Sequence, residues 1–232
     1  MSNHSSLQAR ERSAVIWSVS SAGVVTKVFT EKINPYWGFF VGMVELDLLE
    51  MGLKEQLLQF FRGEVLNDEE VLRKYSRDAS LFEIRPQLVV APKDVDDIKN
   101  LVKFVSKNKE LRLSLTARAA GTDMTGGPLT ESIVLDFTKY FNRIKTIESN
   151  TATVEPGVYY RDFKKEALKH DLFLPSYPAS KEICAIGGMV ANNAGGEKTL
   201  AYGKTDKYVQ ELKVVFSDGN EYLVKPLGKG EL

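Results

Sequence analysis

Cysteine is almost missing from this chain. Cys184 is the only one in 232 residues, so no disulfide can form within it and no cysteine-rich zinc site can be built. Histidine is nearly as scarce, and His4 and His170 stand too far apart in sequence to suggest a shared metal. Net charge is missing as well: 31 basic residues balance 31 acidic ones, so no global field draws the chain onto nucleic acid or anionic lipid, and a polyanionic partner must be small and locally held. No apolar run reaches the roughly 18 residues that a spanning helix requires. The stretch nearest to a targeting signal, "RERSAVIWSVSSAGVV" at 10–25, is diluted by four serines. These absences predict a cytoplasmic protein, at most peripheral to a membrane, with 43% hydrophobic residues to bury in a core.

What is there falls into three parts. Residues 1–42 carry no pattern and stay unassigned. Residues 43–82 read as a helical lead-in. "MVELDLLEMGLKEQLLQFFRG" spaces Leu46, Leu49, Leu53, Leu57 and Phe60 for one or two amphipathic helices ending at Gly63, and "NDEEVLRKYSRD" opens a further helix with Asn67 as its N-cap. Residues 83–232 read as a domain mixing strands and helices. A strand at 87–91 leads to a helix capped by Asp94, with Val95, Ile98, Val102 and Val105 as its apolar stripe, and "LRLSL" at 111–115 alternates like a half-buried strand. Further strands are predicted at 132–137 and 151–157, then a helix with Tyr159, Phe163 and Ala167 on one face. His170 near the end of that helix reads as a solvated residue. A long irregular stretch follows at 175–206, and a hairpin closes the chain around Asp218-Gly219.

Two segments hold almost nothing large enough to fill a core: "ARAAGTDMTGG" at 117–127 and "AIGGMVANNAGG" at 185–196. Clustered glycines mark positive φ or close approach to the backbone. The first segment leaves the C-terminal end of a predicted strand, where α/β folds place ligands. A loop poor in side chains lets consecutive N–H groups point at one anion, so a diphosphate can be held without lysine, and a net charge of zero is no obstacle. The familiar nucleotide fingerprints are not met. Gly121 and Gly126 have Walker-loop spacing, but Gly127-Pro128 stands where Lys-Ser/Thr is needed, and neither segment reads G-x-G-x-x-G.

"RAAGTDMTGG", "IVLDF", "ATVEPGV", "PSYPASKEICAIGGMVANNAGG" and "YGKTDKYVQELKVVFSDG", in that order, resemble the FAD-binding domain of the vanillyl-alcohol oxidase and p-cresol methylhydroxylase (PCMH) superfamily. The branch most similar is that of D-lactate dehydrogenases and the glycolate oxidase flavin subunit, and the resemblance runs over residues 85–225. It implies an α+β fold: a PCMH-type FAD-binding domain of two small α/β subdomains, here preceded by the helical segment. It implies FAD as cofactor, with the diphosphate wrapped by main-chain amides of Arg118, Ala119, Ala120, Gly121 and Thr122, and with Asp123, Thr125 and Gly126 beside them. The second loop would close from the other side through Ile186, Gly187, Gly188, Asn192, Asn193, Ala194 and Gly195. Pro156 and Gly157 match a segment near the adenosine half, and Pro178, Ala179 and Ser180 match the approach to the second loop.

The departures from that pattern carry their own expectations. Ala119 and Ala120 stand where relatives often have glycine, so both must keep negative φ. Ala185, Met189 and Asn192 replace the polar residues common in such segments. Thr122 occupies the position of a flavin-linked histidine in some members, which implies a noncovalent cofactor. The branch continues through further strands and a substrate or cap domain beyond the point where this sequence stops, so the domain is expected to be incomplete at its C-terminus and completed by further residues or a second polypeptide. The reaction implied is oxidation of a 2-hydroxy acid such as D-lactate or glycolate by hydride transfer to flavin. No catalytic base can be named, and Arg118, Asp123, Glu197 and Lys198 read as solvated or loop-fixing charges. Two other readings are a truncated, non-catalytic flavin-binding module and a flavoprotein like the reductase of UDP-N-acetylenolpyruvoylglucosamine, against which the "VEPG" and "NNAGG" contexts argue.

Overall fold

The computed structural model describes the backbone of residues 17–20 and 23–26 and the whole of residues 51–227; the first part of the proposed lead-in, 43–50, lies outside the described residues. The first lobe is built from β1 (Trp17–Ser20), β2 (Gly23–Thr26), α1 (Leu53–Leu58), β3 (Glu64–Leu66), α2 (Glu69–Tyr75), β4 (Leu88–Ala91), α3 (Val95–Lys107), β5 (Leu115–Arg118) and β6 (Ile133–Asp136). Its six strands form one sheet in the order β1-β2-β5-β6-β4-β3. Only β6 with its neighbours β4 and β5 is parallel; β3 pairs antiparallel with β4 and β2 antiparallel with β5. The chain therefore passes from β4 through α3 to β5 and leaves the middle place for β6.

Strand alternation sorts the core onto two faces. Leu88 and Val90 of β4 and Ile133 and Leu135 of β6 pack with Leu101, Val102 and Val105 of α3 and with Leu57 and Phe61. Val89 and Val134, one residue out of phase, meet Leu72 of α2 on the other face. Burying each such side chain contributes about 1.5–3 kcal/mol. Asp94 caps α3 as its sequence predicts, accepting from the amides of Asp96 and Asp97 at 3.0 and 3.1 Å. Asp97 is buried despite its charge, because its carboxylate accepts from the amides of Arg62 (3.0 Å) and Lys93 (2.8 Å).

Three local expectations shift. The alternating "LRLSL" does not start a strand at 111: a 3₁₀ turn at Lys109–Leu111 leaves Arg112 at φ 49°, and β5 begins at Leu115. Leu111 and Leu113 still pack on the core, so burial without strand geometry produced the same period. Asn67 is not the cap of α2. Asp68 takes that place, while Asn67 Oδ1 accepts from Lys54 Nζ at 2.9 Å. The lead-in also holds a strand, β3, whose Val65 joins the core beside Leu57.

The second lobe follows with β7 (Ile144–Glu148), β8 (Thr151–Val154), α4 (Tyr160–Ala167), α5 (Ile186–Ala191), α6 (Thr199–Tyr202), β9 (Leu212–Val215) and β10 (Glu221–Val224). Its core gathers Val158, Tyr160, Phe163, Tyr177, Ile186 and Met189. Tyr160, not Tyr159, is the buried tyrosine of α4, because the helix starts one residue later than the pattern suggests and Tyr159 is its N-cap. The stretch 175–206, read as irregular, contains α5 and α6: burial of Ile186, Met189 and Ala191 outweighs the low helix propensity of Gly187 and Gly188. The terminal hairpin forms as expected, with Gly219 at φ 73°, and Ser106 of α3 donates to the Ser217 carbonyl at 3.0 Å, tying this turn to the first lobe. His170 is exposed at the end of a 3₁₀ turn.

Candidate cofactor site

The first small-residue loop leaves β5 at Arg118, whose side chain turns back beneath it. The guanidinium donates to the Tyr75 carbonyl at 3.1 Å and the Arg77 carbonyl at 2.7 Å, capping the end of α2, and stacks on the Tyr75 ring at 5.1 Å. Burial pushes the Arg118 guanidinium below its ordinary value, while Tyr75, Asp78 and Asp136 pull the other way; it stays a cation. Arg118 is thus a loop-fixing charge. Burial, together with the neighbouring Asp136 carboxylate, raises the Tyr75 phenol, which donates to Asp136 Oδ2 at 2.8 Å.

Gly121 lies directly over this guanidinium, with φ 68° and no room for a side chain. Ala119 and Ala120 keep negative φ, as their identity requires, since positive φ outside glycine occurs among the described residues only at Arg112, Ser149, Asp171 and Asn193. The amides of Ala119, Ala120, Gly121 and Thr122 donate to no other group among the described residues. The far half of the loop braces itself. Asp123, 2% exposed, accepts from Thr125 Oγ1 and the Gly127 amide, both at 2.7 Å, while its carbonyl accepts from the Ala79 amide. Gly126 packs on the Phe82 ring.

Ala120, Gly121 and Thr122 form one wall of an open cleft of about 400 Å³. Arg77, Asp78 and Ala79 supply a second wall from the first lobe, and Tyr159, Arg161 and Ile183 supply a third from the second. Arg161 is held by a bond from Nη1 to the Glu182 carbonyl (2.8 Å) and lies over the Tyr159 ring at 4.4 Å. Asp78 Oδ1 accepts from the Ser80 amide at 2.8 Å, whereas Oδ2 is buried and has no partner among the described residues.

The second small-residue segment differs from the bare-amide cradle expected of it. Most of its amides are spent, though not those of Gly188 and Gly195 among the described residues: Ile186 donates to the Val158 carbonyl, Gly187 to Pro156, Asn192 to Gly188, Asn193 to Val190 and Ala194 to Met189. The bonds of Asn192, Asn193 and Ala194 close the end of the helix Ile186–Ala191, while those of Ile186 and Gly187 tie its start to the segment Pro156–Val158. Its end, Asn192, Asn193, Ala194 and Gly195, lines a second cleft of about 430 Å³ with Pro178, Thr199 and Lys204. Pro156 and Gly157 line neither cleft: Pro156 receives Gly187, and Gly157 sits against Phe137 and Phe141, where a Cβ would come within 2.1 Å of the Phe137 carbonyl oxygen. Ala179 and Ser180 carry the chain from Pro178 in the second cleft to Ile183 in the first, with the Ser180 carbonyl accepting from the Ile183 and Cys184 amides.

The charges beside this segment also fix it. Glu197 accepts from the Tyr177 hydroxyl at 2.8 Å, which holds its carboxyl below the ordinary value. Lys198 lies over the rings of Phe173, Tyr177 and Tyr202 at 4.9, 5.9 and 6.0 Å. Cys184 is a small buried hydrophobe whose thiol burial pushes up to about 11. Among the cleft residues that the sequence reading did not place at the site are Arg77, Asp78, Ala79, Arg161, Ile183, Thr199 and Lys204, and Tyr159, which it read as part of a helix face. They come from turns and helix ends with no glycine signature, so only the tertiary fold could find them. Among the described residues no helix is long and apolar enough to cross a membrane, and no cluster of acidic, cysteine or histidine side chains could hold a metal.

Consecutive amides without a partner among the described residues, three of them at an open cleft between two lobes, suit an extended nucleotide with a diphosphate. The FAD binding domain family matches residues 86–223, and the chain belongs to it; its cofactor is FAD. The chain is 36% identical over 179 residues to the glycolate oxidase subunit GlcD of Bacillus subtilis, covering 75% of this chain and 37% of that one. It is 30% identical over 175 residues to the D-2-hydroxyglutarate dehydrogenase of Pseudomonas putida, covering 74% of this chain and 17% of that enzyme. An alkyldihydroxyacetonephosphate synthase structure superposes over 96% of this chain and 40% of its own with a TM-score of 0.64 at 16% identity, a likeness of fold. The chain thus spans little more than a third of the glycolate oxidase subunit and under a fifth of the dehydrogenase.

Proposed function

We propose that this chain forms the FAD-holding part of a flavin-dependent oxidoreductase that oxidises a 2-hydroxy acid such as D-lactate or glycolate. The observation that carries the reading is the run of amides from Ala119 to Thr122, unpartnered among the described residues, of which Ala120, Gly121 and Thr122 line a cleft that both lobes share. The likeness to the glycolate oxidase subunit supports the substrate class.

In this reading the amides of Ala120, Gly121 and Thr122 hold the diphosphate as a preorganised set of dipoles, in a cleft that Arg77, Arg118 and Arg161 also line. Arg118 keeps that set in place from below, because its guanidinium is anchored on two carbonyls of the α2 end. Thr122 has a side chain unable to form the linkage a histidine makes, so FAD is held noncovalently. Bound flavin would supply the hydride acceptor. Groups that bind the 2-hydroxy acid and take its proton come, in this reading, from outside the 232 residues, as further chain or as a second polypeptide.

The test is direct: purify the chain, titrate it with FAD and with FMN, and follow the visible flavin absorbance. FAD binding at one equivalent, with FMN much weaker, is the expected result. Equal binding of the two, or none of FAD, would remove the diphosphate cradle from the account.

A further inference from the structure

One oxygen in the cleft is left over. Asp78 Oδ2 is buried, makes no hydrogen bond among the described residues, and belongs to a side chain that lines the same cleft as Ala120, Gly121 and Thr122. A buried acceptor without a donor is costly, so such an atom points to a missing partner. The cations nearby are already engaged: Arg118 bonds the Tyr75 and Arg77 carbonyls, Arg77 pairs with Glu83, and Arg161 bonds the Glu182 carbonyl. Arg118 attracts the Asp78 carboxylate across space without bonding it, so the hydrogen-bond donor that Oδ2 lacks among the described residues can come from a ligand in the cleft.

The chemistry of that donor follows from the charge. A carboxylate oxygen repels phosphate, and the amides of Ala119 to Thr122 are the groups that attract it. Beside a diphosphate in FAD stand alcohols, on the ribityl chain to one side and on the ribose to the other. We infer, resting on the FAD reading above, that Asp78 is a specificity-determining residue whose Oδ2 accepts a hydrogen bond from a hydroxyl adjoining the diphosphate. Its other oxygen is already fixed by the Ser80 amide, so the carboxylate is held in place before the ligand arrives. Asp78 thereby favours a polyol-bearing diphosphate over a bare one.

Asp78→Asn separates this role from a structural one. The amide oxygen still accepts from the Ser80 N–H, so the turn survives and the unliganded melting temperature should stay within about 2 °C. The charge-assisted acceptor is gone, so the FAD dissociation constant should rise roughly tenfold. Inorganic pyrophosphate, added as a competitor, has no hydroxyl and should compete as well as or better than with the wild type, because a negative charge has left the cleft. FMN and ADP carry the ribityl and ribose hydroxyls separately; the one whose affinity falls identifies the partner. FAD affinity within about twofold of wild type would overturn the inference and leave the FAD reading standing. Parallel loss of FAD and pyrophosphate binding, or a lowered melting temperature, would also overturn it by showing that Asp78 only shapes the loop. Failure of the wild type to bind FAD would remove the FAD reading itself, and this inference with it.

Discussion

Gly121 and Arg118 are in direct opposition across the turn of the first loop: a Cβ on Gly121 would lie 2.4 Å from Arg118 Nη2 and 2.7 Å from Cζ. The guanidinium cannot swing away at little cost, because it is 8% exposed and anchored on two carbonyls. Close contact and a φ of 68° therefore demand glycine at the point where the free amides are presented.

Gly121→Val should abolish FAD retention, raising the dissociation constant by about a hundredfold or more, since the valine both forces the left-handed backbone at a cost of about 1–3 kcal/mol and displaces the guanidinium. Far-ultraviolet circular dichroism should be unchanged. Retention at wild-type affinity would place the cofactor elsewhere.

Arg118→Met should act on stability as well as on binding. It strands the Tyr75 and Arg77 carbonyls, which costs about 1–3 kcal/mol, and loosens the loop above. Thermal melting together with a flavin titration would show both losses; a variant as stable as wild type would deny Arg118 its anchoring role.

Asp97→Ala should lower stability by about 1–3 kcal/mol without touching FAD affinity corrected for folding. The substitution leaves the amides of Arg62 and Lys93 without their acceptor at the start of α3, among residues that line neither cleft. Urea denaturation would measure it.

Acid should attack the junction before Pro156. Burial pushes the Glu155 carboxyl up, but bonds from the Arg143 side chain and amide, with Lys145 close by, prevail and hold it below its ordinary value. A carboxylate with a lowered folded pKa contributes stability above the unfolded value near 4.5, and that stability is lost as the pH falls through the folded value. Melting temperatures between about pH 5 and pH 2 should therefore fall less steeply in Glu155→Gln than in wild type. Equal slopes would assign the acid sensitivity to other carboxylates.

Acid precipitation of the FAD-loaded chain should release all flavin into the supernatant, because Thr122 offers no histidine for a covalent bond. Flavin remaining on the washed pellet would contradict noncovalent holding.

Sequence by itself determined the elements whose causes are local. The Asp94 cap, the places of Ile98, Val102 and Val105 on the core face of α3, though not Val95 or the fully buried Leu101, and the Asp218-Gly219 hairpin each follow from neighbours a few residues apart. The first loop was readable for the same reason: its glycine and alanines state their own backbone requirements, and Gly121 meets its conflict with Arg118, only three residues away. Tertiary structure decided the rest. It turned the second glycine segment into helix α5, because burial of Ile186 and Met189 is a long-range effect that outweighs glycine propensity. It also brought Asp78, Tyr159 and Ile183 to one cleft from three separate stretches of chain, and left one oxygen of Asp78 without a donor among the described residues. Propensity and spacing act over a turn or two of chain, whereas a binding cleft is made by residues that meet only when two lobes pack.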